Sequence, residues 1–556
     1  MNPPSLSEIA SQKVACYIAE GKYKYKEYTL PKDPSNLVFD ILKEKRVYLE
    51  KELDEVDKVI MRILNPSVMN LTTHAPYFKI DDMDIRLIRN QENLVELKLG
   101  DLISCFAPEE EEDDVMEPPK KKMKNQETVV RGKITQVRFD LATFLENNLT
   151  VKTLENLKKL DVSKNRSPYK TFSIFEFASG WTAALSQTLP SLTILKIGGQ
   201  ELSDEEFQML CDSFPQLQAL DFRNTGLESL EGISKLKYLQ DLSMGSLKLK
   251  NGECMDEIYR LNDLKKLNLS GERHFERQFN VINFFVKSEK SVMKLEEIDF
   301  SGSVTTDEDL NGIMSRHPKL KRVIALNTEI EEYEIPGIEI ITDNTIDSCL
   351  FALDYLQNNK SDHQIRNIVY QISRMIYRTD MPELITEELR NANRILHQMI
   401  PKYQDDQELI ELIHNCCCNL SAPTKLKFFG NGDKRILMES LLKLMDLRRI
   451  TNQDKHSKDE EWKKFNAILK ETQYPQADRI VSMAIKYFLK ADGKKWRIDC
   501  LETIDHLLEK IDMDSEFYKG MDKKKLIFEL KKIHRSKSPL KLKRMAGRVR
   551  QFFENY

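Results

Sequence analysis

The sequence predicts two solenoids in tandem: an α/β leucine-rich-repeat array, then an all-α array of armadillo or HEAT type. Three observations carry this. First, one phrase recurs nine times between residues 94 and 325: an apolar residue, two residues, a second apolar residue, one residue, a third apolar residue. Its starts are spaced mostly at the roughly 20–29 residues of leucine-rich repeats. Second, the phrase vanishes near residue 343, and apolar residues then recur at the spacing of helices. Third, 556 residues exceed what one core usually serves, so more than one cooperative unit is expected.

In chain order, residues 1–65 are expected to be helical. Leu6, Ile9, Val14 and Ile18 are spaced for one apolar face. A proline-broken turn is expected at Leu30-Pro31-Lys32-Asp33-Pro34, and a second helix through Leu37, Phe39, Leu42, Val47, Leu49, Leu53, Val56 and Ile60. Residues 66–342 form the array. Its phrases are Leu94/Leu97/Leu99, Ile134/Val137/Phe139, Leu157/Leu160/Val162, Leu192/Leu195/Ile197 and Leu217/Leu220/Phe222. Leu239/Leu242/Met244, Leu264/Leu267/Leu269, Leu295/Ile298/Phe300 and Leu320/Val323/Ala325 complete them, with a weaker opening copy at Val68 and Leu71. From Ile134 the starts lie 23, 35, 25, 22, 25, 31 and 25 residues apart.

Asn165 and Asn224 follow their strands where an amide side chain can bond the backbone of the next coil. Ser270-Gly271 and Ser301-Gly302 hold that position elsewhere. The linkers Asp204–Phe214 and Asp307–Arg316 read as helices opened by acidic residues, which favour a helix N-terminus. The 40-residue gap between Leu94 and Ile134 holds Glu109–Asp114 (EEEEDD) and then a proline–lysine run. Such composition buries too little apolar surface to fold, so about 108–128 is expected to be a disordered loop. From 343 to 556 the expected helices are Ile346–Leu356, His363–Tyr377, Glu383–Met399, Gln407–Asn419 and Lys434–Met445. Glu460–Thr472, Gln476–Leu489, Trp496–Lys510 and a basic set from Lys523 follow. Short turns and the absence of heptads suggest an armadillo- or HEAT-like stack.

Composition excludes several classes. The formal charge of −4 gives no global reason to expect nucleic acid. No stretch approaches the roughly 20 apolar residues of a membrane helix. The opening MNPPSLSEIASQKVACYIAEGK lacks a basic region followed by an apolar core, so no secretory signal is expected. Nine cysteines without paired spacing fit reduced thiols in the nucleus and cytoplasm. No phosphate-binding, dinucleotide, serine-hydrolase, zinc-protease or kinase motif is present, so the chain is not expected to be an enzyme and no cofactor is expected. Cys416-Cys417-Cys418 cannot share one tetrahedral metal, because consecutive helical residues point about 100° apart. They are expected to be small core residues, and no metal is expected.

Two basic segments carry a choice. Lys120, Lys121, Lys122 and Lys124, after Pro118-Pro119, match short lysine-rich nuclear import signals, which an import receptor binds in extended form. As a plain charge run they would instead balance the acidic stretch beside them. Residues 523–556 carry 12 Lys or Arg against Glu529 and Glu554. Interleaved apolar residues read as a basic helix pair closing the stack. Contact with nucleic acid or an acidic surface is the other reading, disfavoured by the scarcity of aromatics that could stack bases.

The N-terminal residues add something more specific. Ser5-Leu6 with Ala10 and Val14 resembles an elongin C-binding box, a short helix in which a Leu, a Cys four residues on and a further apolar residue share one face. Ala10 stands where Cys is usual. Leu30-Pro31, followed by Leu37, Val38 and Ile41, resembles a cullin-two box, although the apolar spacing departs from it. With a leucine-rich array and an armadillo-like C-terminal region behind them, the order is similar to the zygote-defective-eleven and Zer family of cullin-RING substrate receptors. The resemblance covers the whole chain as architecture and about forty N-terminal residues as motif. It implies a non-enzymatic ligase subunit. Leu6, Ala10 and Val14 would hold elongin C, Leu30 and Pro31 would serve cullin two, and the C-terminal groove would present an unidentified protein substrate. Family members read an N-terminal glycine there; Trp462 and Trp496, the C-terminal tryptophans, do not stand in an armadillo Asn-Leu context, so the pattern does not extend to that pocket. A nuclear interaction scaffold without a ligase role is the competing expectation.

Overall fold

The computed structural model describes residues 6–19, 30–46, 64, 66–70, 91–99, 137–163, 175–271, 281–330, 335–359, 362–379, 385–404, 406–448, 457–470, 477–490, 494–512, 518, 521–535 and 538–555. The chain divides into two compact units, Met1–Thr342 and Asp343–Tyr556.

The first unit opens with helices α1 (Leu6–Ala19) and α2 (Lys32–Arg46). Strands β1 (Val68–Asn70), β2 (Glu96–Lys98) and β3 (Val137–Phe139) follow, then α3 (Leu141–Asn148), α4 (Val151–Asn156) and β4 (Lys159–Asp161). Next come β5 (Phe175–Phe177), α5 (Trp181–Thr188), β6 (Ile194–Lys196), α6 (Asp204–Ser213), β7 (Ala219–Asp221) and β8 (Asp241–Ser243). The unit ends with β9 (Lys266–Asn268), α7 (Val281–Lys287), β10 (Glu297–Asp299), α8 (Asp307–Arg316), β11 (Arg322–Ile324) and β12 (Glu339–Ile341).

Ten of these strands form one parallel ladder in the order β1-β2-β4-β6-β7-β8-β9-β10-β11-β12. The repeated phrase explains each rung. Alternation along a strand sends its middle residue inward. Leu97, Leu160, Leu195, Leu220, Leu242, Leu267, Ile298 and Val323 therefore stack in register in the core. The first and third apolar residues of each phrase close the core from the flanking coils, as buried Leu217 and Phe222 do around β7. Burying each such side chain is worth about 1.5–3 kcal/mol. The linker helices form where expected: Ser203 caps α6 by accepting from Glu206 N, and Thr306 and Asp309 form a reciprocal capping box on α8.

Several details differ from the sequence reading. The Ile134/Val137/Phe139 phrase is no rung of the main ladder. β3 pairs with β5 in a separate two-stranded sheet, while β2 bonds directly to β4. The 35-residue spacing after Leu157 reflects the same side sheet, since β5 lies inside it. The opening copy is shifted: Met69, not Leu71, aligns with Leu97 and is buried, while Val68 is 37% exposed. Val68, one residue before Met69, takes the opposite face because strand side chains alternate. The rung β12 follows no apolar phrase, since Gly337 and Thr342 flank Ile340 where Leu is usual. Pro34 does not break a turn. It lies in the first turn of α2, where its missing N–H costs nothing, and Ser35 N bonds Pro31 O at 2.9 Å. The expected loop at 108–128 lies outside the described residues, as does the second helix beyond residue 46.

The second unit is helical: α9 (Ile346–Asn359), α10 (Asp362–Arg378), α11 (Thr386–Lys402), α12 (Gln407–Leu420) and the short α13 (Pro423–Leu426). α14 (Asn431–Arg448), α15 (Ser457–Lys470), α16 (Ala477–Lys490), α17 (Lys494–Leu507), α18 (Lys523–Arg535) and α19 (Leu540–Asn555) follow. Neighbours pack pairwise: α9 on α10, α10 on α12, α11 on α14, α16 on α17, and α18 on α19. Buried Leu526, Leu530, Met545, Val549 and Phe553 join the last two into a closing pair. Their cations are partly committed, Lys531 to Glu554, Lys541 to Glu502 and Arg548 to Asp505.

Candidate functional site

Three surfaces bear on function. The first is the N-terminal helix pair. Leu6, Ala10 and Val14 follow one stripe of α1 at intervals of four. Ala10 is exposed, Val14 is half-buried against the array core, and of Leu6 the backbone alone is described. The buried stripe lies one residue on, at Ser11 and Ala15. Val38 and Phe39 of α2 join the same core. Leu30 is half-buried against it, whereas Pro31 is exposed. Asn36 does a job the sequence reading missed. Its Oδ1 accepts from Ser67 N at 2.8 Å and Val68 N at 3.2 Å, and its Nδ2 donates to Ser67 Oγ at 3.1 Å. Ser67 N and Val68 N are donors at the outer edge of β1, so α2 covers the open end of the ladder. Lys120, Lys121, Lys122 and Lys124 lie outside the described residues.

The second surface is the open face of the ladder, carried by the first and third residue of each strand. Its first column pairs across strands: Glu96 with Lys159 at 2.5 Å, and Lys266 with Glu297 at 3.6 Å. Arg322 then bonds both Glu297 at 2.9 Å and Glu339 at 2.6 Å. Ile194 and Ala219 leave a neutral gap. Asp241 has its carboxyl raised above the usual range, because desolvation outweighs the pull of Lys266 and Lys196. The second column holds turn-forming acids and amides. Asp161, Asp221, Asn268 and Asp299 each accept, through Oδ1, the backbone N–H two residues on, at 2.9–3.2 Å. The sequence carried this signal as Leu/Ile followed directly by Asp or Asn inside four phrases. Arg223 clamps Asp221 with two bonds of 3.0 and 2.7 Å, and Asp161 and Asp299 also act on its charge.

Asn224 does not use its amide as expected. It takes left-handed backbone (φ 57°) and its main-chain N–H bonds Gly245 O at 3.0 Å. Gly199, Ser246, Gly302 and Asn327 repeat that conformation at the matching position of other coils. Asn165 lies outside the described residues.

The third surface is a groove of about 570 Å³ in the helical unit. α10 supplies Tyr370, Ser373, Arg374, Tyr377 and Arg378, which share a face at helical spacing; α12 supplies His414, Asn415, Cys418 and Asn419, and α15 supplies Lys464. Asn419 Nδ2 donates to Ser373 at 3.4 Å, tying the two walls. The three consecutive cysteines point apart. Cys416 Sγ donates to Val369 O, Cys418 Sγ meets His414 Nε2 at 3.5 Å, and burial pushes the Cys416 thiol up to about 12 and Cys417 well above its usual value. Among the described residues no group of three or more His, Cys, Asp or Glu is placed to hold a metal ion, and no helix is long and apolar enough to cross a membrane.

The ladder and its repeated coil turns define a leucine-rich-repeat solenoid joined to a helical region, the architecture of a protein-binding repeat protein. No family model matches the chain. It is 26% identical over 376 residues to Gastrulation-defective protein 3 of Caenorhabditis elegans, a match covering 67% of this chain and 47% of the relative. The match supports the resemblance to the zygote-defective-eleven and Zer family, and the chain spans about half the length of that curated relative. Among solved structures, an internalin from Listeria monocytogenes aligns over 53% of this chain and 71% of its own, with 14% identity and a TM-score of 0.27. That likeness is too slight to add to the fold, which rests on the strand ladder itself.

Proposed function

We propose that this chain is the substrate-recognition subunit of an elongin–cullin-two RING ubiquitin ligase, non-catalytic and present in nucleus and cytoplasm. The observation that carries the reading is the relationship to Gastrulation-defective protein 3, because it supports the family whose members hold that role. In this reading Leu6, Ala10 and Val14 of α1 meet elongin C, and Leu30-Pro31 serves cullin two. The exposure of Ala10 and Pro31 supports it. The C-terminal region is an armadillo- or HEAT-like stack that presents a protein substrate; pairwise packing of helices mostly 13–18 residues long supports this. Lys120, Lys121, Lys122 and Lys124 engage an import receptor.

The test is a pulldown from cells of wild type, Leu6→Arg and Ala10→Arg, probed for elongin C and cullin two. Wild type recovers both and the variants lose both, because an arginine cannot enter an apolar pocket without several kcal/mol of desolvation. Equal recovery by all three overturns the proposal. Replacing the four lysines by Gln in the same cells depletes nuclear protein; unchanged distribution removes the import role.

A second reading rests on Asn36. Because α2 seals the edge of β1, α2 also serves as the terminal cap a solenoid needs. A nuclear interaction scaffold with no ligase role requires nothing more of it, and loss of elongin C recovery is what separates the two readings.

A further inference from the structure

We infer that the groove between α10 and α12 is a docking site for an extended acidic peptide segment. Among the described residues its lining holds Arg374, Arg378 and Lys464 and no Asp or Glu. Elsewhere in the same unit Arg366, Arg390, Arg394, Arg497 and Arg548 each pair with a carboxylate. Among the described residues neither Arg374 nor Arg378 does. Arg374 is held instead by Gln371 Oε1 at 3.3 Å and by the face of Tyr370, 5.8 Å from the ring centre. That stacking orients a guanidinium while leaving its charge unneutralised.

The aromatics point the same way. Tyr370 is 51% and Tyr377 75% exposed, so two large rings about two helical turns apart stand in water beside the cations. Asn415, exposed on the opposite wall, offers a donor and an acceptor that match a peptide unit. The groove thus supplies positive charge for carboxylate side chains, rings for their stems and an amide for the main chain. Arg374 and Arg378 match one or two carboxylates of a short segment. They fall short of the roughly 6–10 phosphate contacts of a protein that binds nucleic acid through its backbone.

The inference deepens the receptor reading, on which its meaning as a substrate class rests. Binding itself is measured on the purified full chain without ligase subunits, so failure here and failure to recover elongin C are separate results. Fluorescence anisotropy is read with a labelled Glu-rich peptide, its Lys-rich counterpart and a single-stranded RNA of similar length. The acidic peptide binds and the basic one does not. Arg374→Glu with Arg378→Glu weakens binding about tenfold or more, since each exposed charge pair contributes up to about fivefold. Tyr377→Ala weakens it severalfold, and Lys524→Glu, exposed on α18, leaves it unchanged. Should the double reversal alter the circular dichroism, Arg378→Gln alone is read, because that side chain is exposed. Absence of acidic-peptide binding, binding indifferent to these changes in a folded protein, or tighter binding of the RNA through the same residues would overturn the inference.

Discussion

Replacing Asn36 by Ala removes three hydrogen bonds from the edge of the ladder: those to Ser67 N, Val68 N and Ser67 Oγ. Each is worth about 1 kcal/mol net, and the contact to Val68 N is exposed and counts for less, so the loss is about 2 kcal/mol. The measurement is hydrogen exchange by mass spectrometry on the intact chain. A loss of that size raises the local opening constant at residues 67–70 by about thirtyfold. Because repeats couple chiefly to their neighbours, the effect fades through β2 and β4 and is absent by β8. Asn36→Asp keeps the Oδ1 acceptor and loses the donor to Ser67 Oγ, so its increase stays below about tenfold. Unchanged exchange at 67–70 in a folded Asn36→Ala protein refutes the capping role and with it the structural basis of the scaffold reading.

Two further outcomes follow from the array. A Cβ on Gly245 would sit 1.7 Å from Ser270 O, a main-chain atom of the next coil, whereas one on Gly198 meets nothing nearer than 3.4 Å. Gly245→Ala therefore destabilises the first unit by about 3 kcal/mol or more in denaturant unfolding, and Gly198→Ala by less than about 1 kcal/mol; equal effects contradict the close approach. His317 closes α8 with Nδ1 against Ile313 O at 2.8 Å and its ring on Phe285, and desolvation, aided by Arg316, lowers its pKa below 6.5. As the pH falls below 6.5, the unfolded chain takes up a proton that the folded chain resists, so stability present above that pH is lost. The slope is at most about 1.4 kcal/mol per pH unit for this group. His317→Gln flattens the melting profile between pH 6.5 and the folded pKa, and an unaltered profile assigns the acid sensitivity elsewhere.

Most of the ladder was legible because a single periodicity encodes it. An inward residue such as Leu220 must be apolar, and its two neighbours across the core must be apolar too. Legibility failed where other forces set the strand. β3 satisfies the same phrase yet pairs with β5, because periodicity reports which side of a strand is buried and not which strand it meets. β12 lacks the phrase and joins the ladder through its backbone and the Arg322–Glu339 pair. The coil turns were half legible. Positive φ at Asn224 and Gly302 fits their residue types, but Ser246 adopts the same conformation and no residue rule would have picked it. The cap at Asn36 was hidden because its partners lie 31 and 32 residues away. The groove was hidden for a similar reason: Tyr370-x-x-x-Arg374 is an unremarkable helix face until α12 is laid beside it.

The two open surfaces differ in the kind of partner each can hold. On the ladder face the charges of the first column, Asp241 excepted, already satisfy one another, from Glu96–Lys159 to the run Lys266–Glu297–Arg322–Glu339. A partner's charge placed there must displace an existing one, so it gains little and costs desolvation. Affinity on that face has to come from shape and from the neutral gap at Ile194 and Ala219. In the α10–α12 groove the reverse holds: among the described residues Arg374 and Arg378 have no carboxylate to give up, so a partner's carboxylates gain their full interaction. Docking in the groove is accordingly steep in salt, because exposed pairs are screened within about 8 Å at physiological ionic strength, and docking on the ladder face is not. Salt dependence of substrate capture thus assigns a bound protein to one surface or the other before any complex is solved.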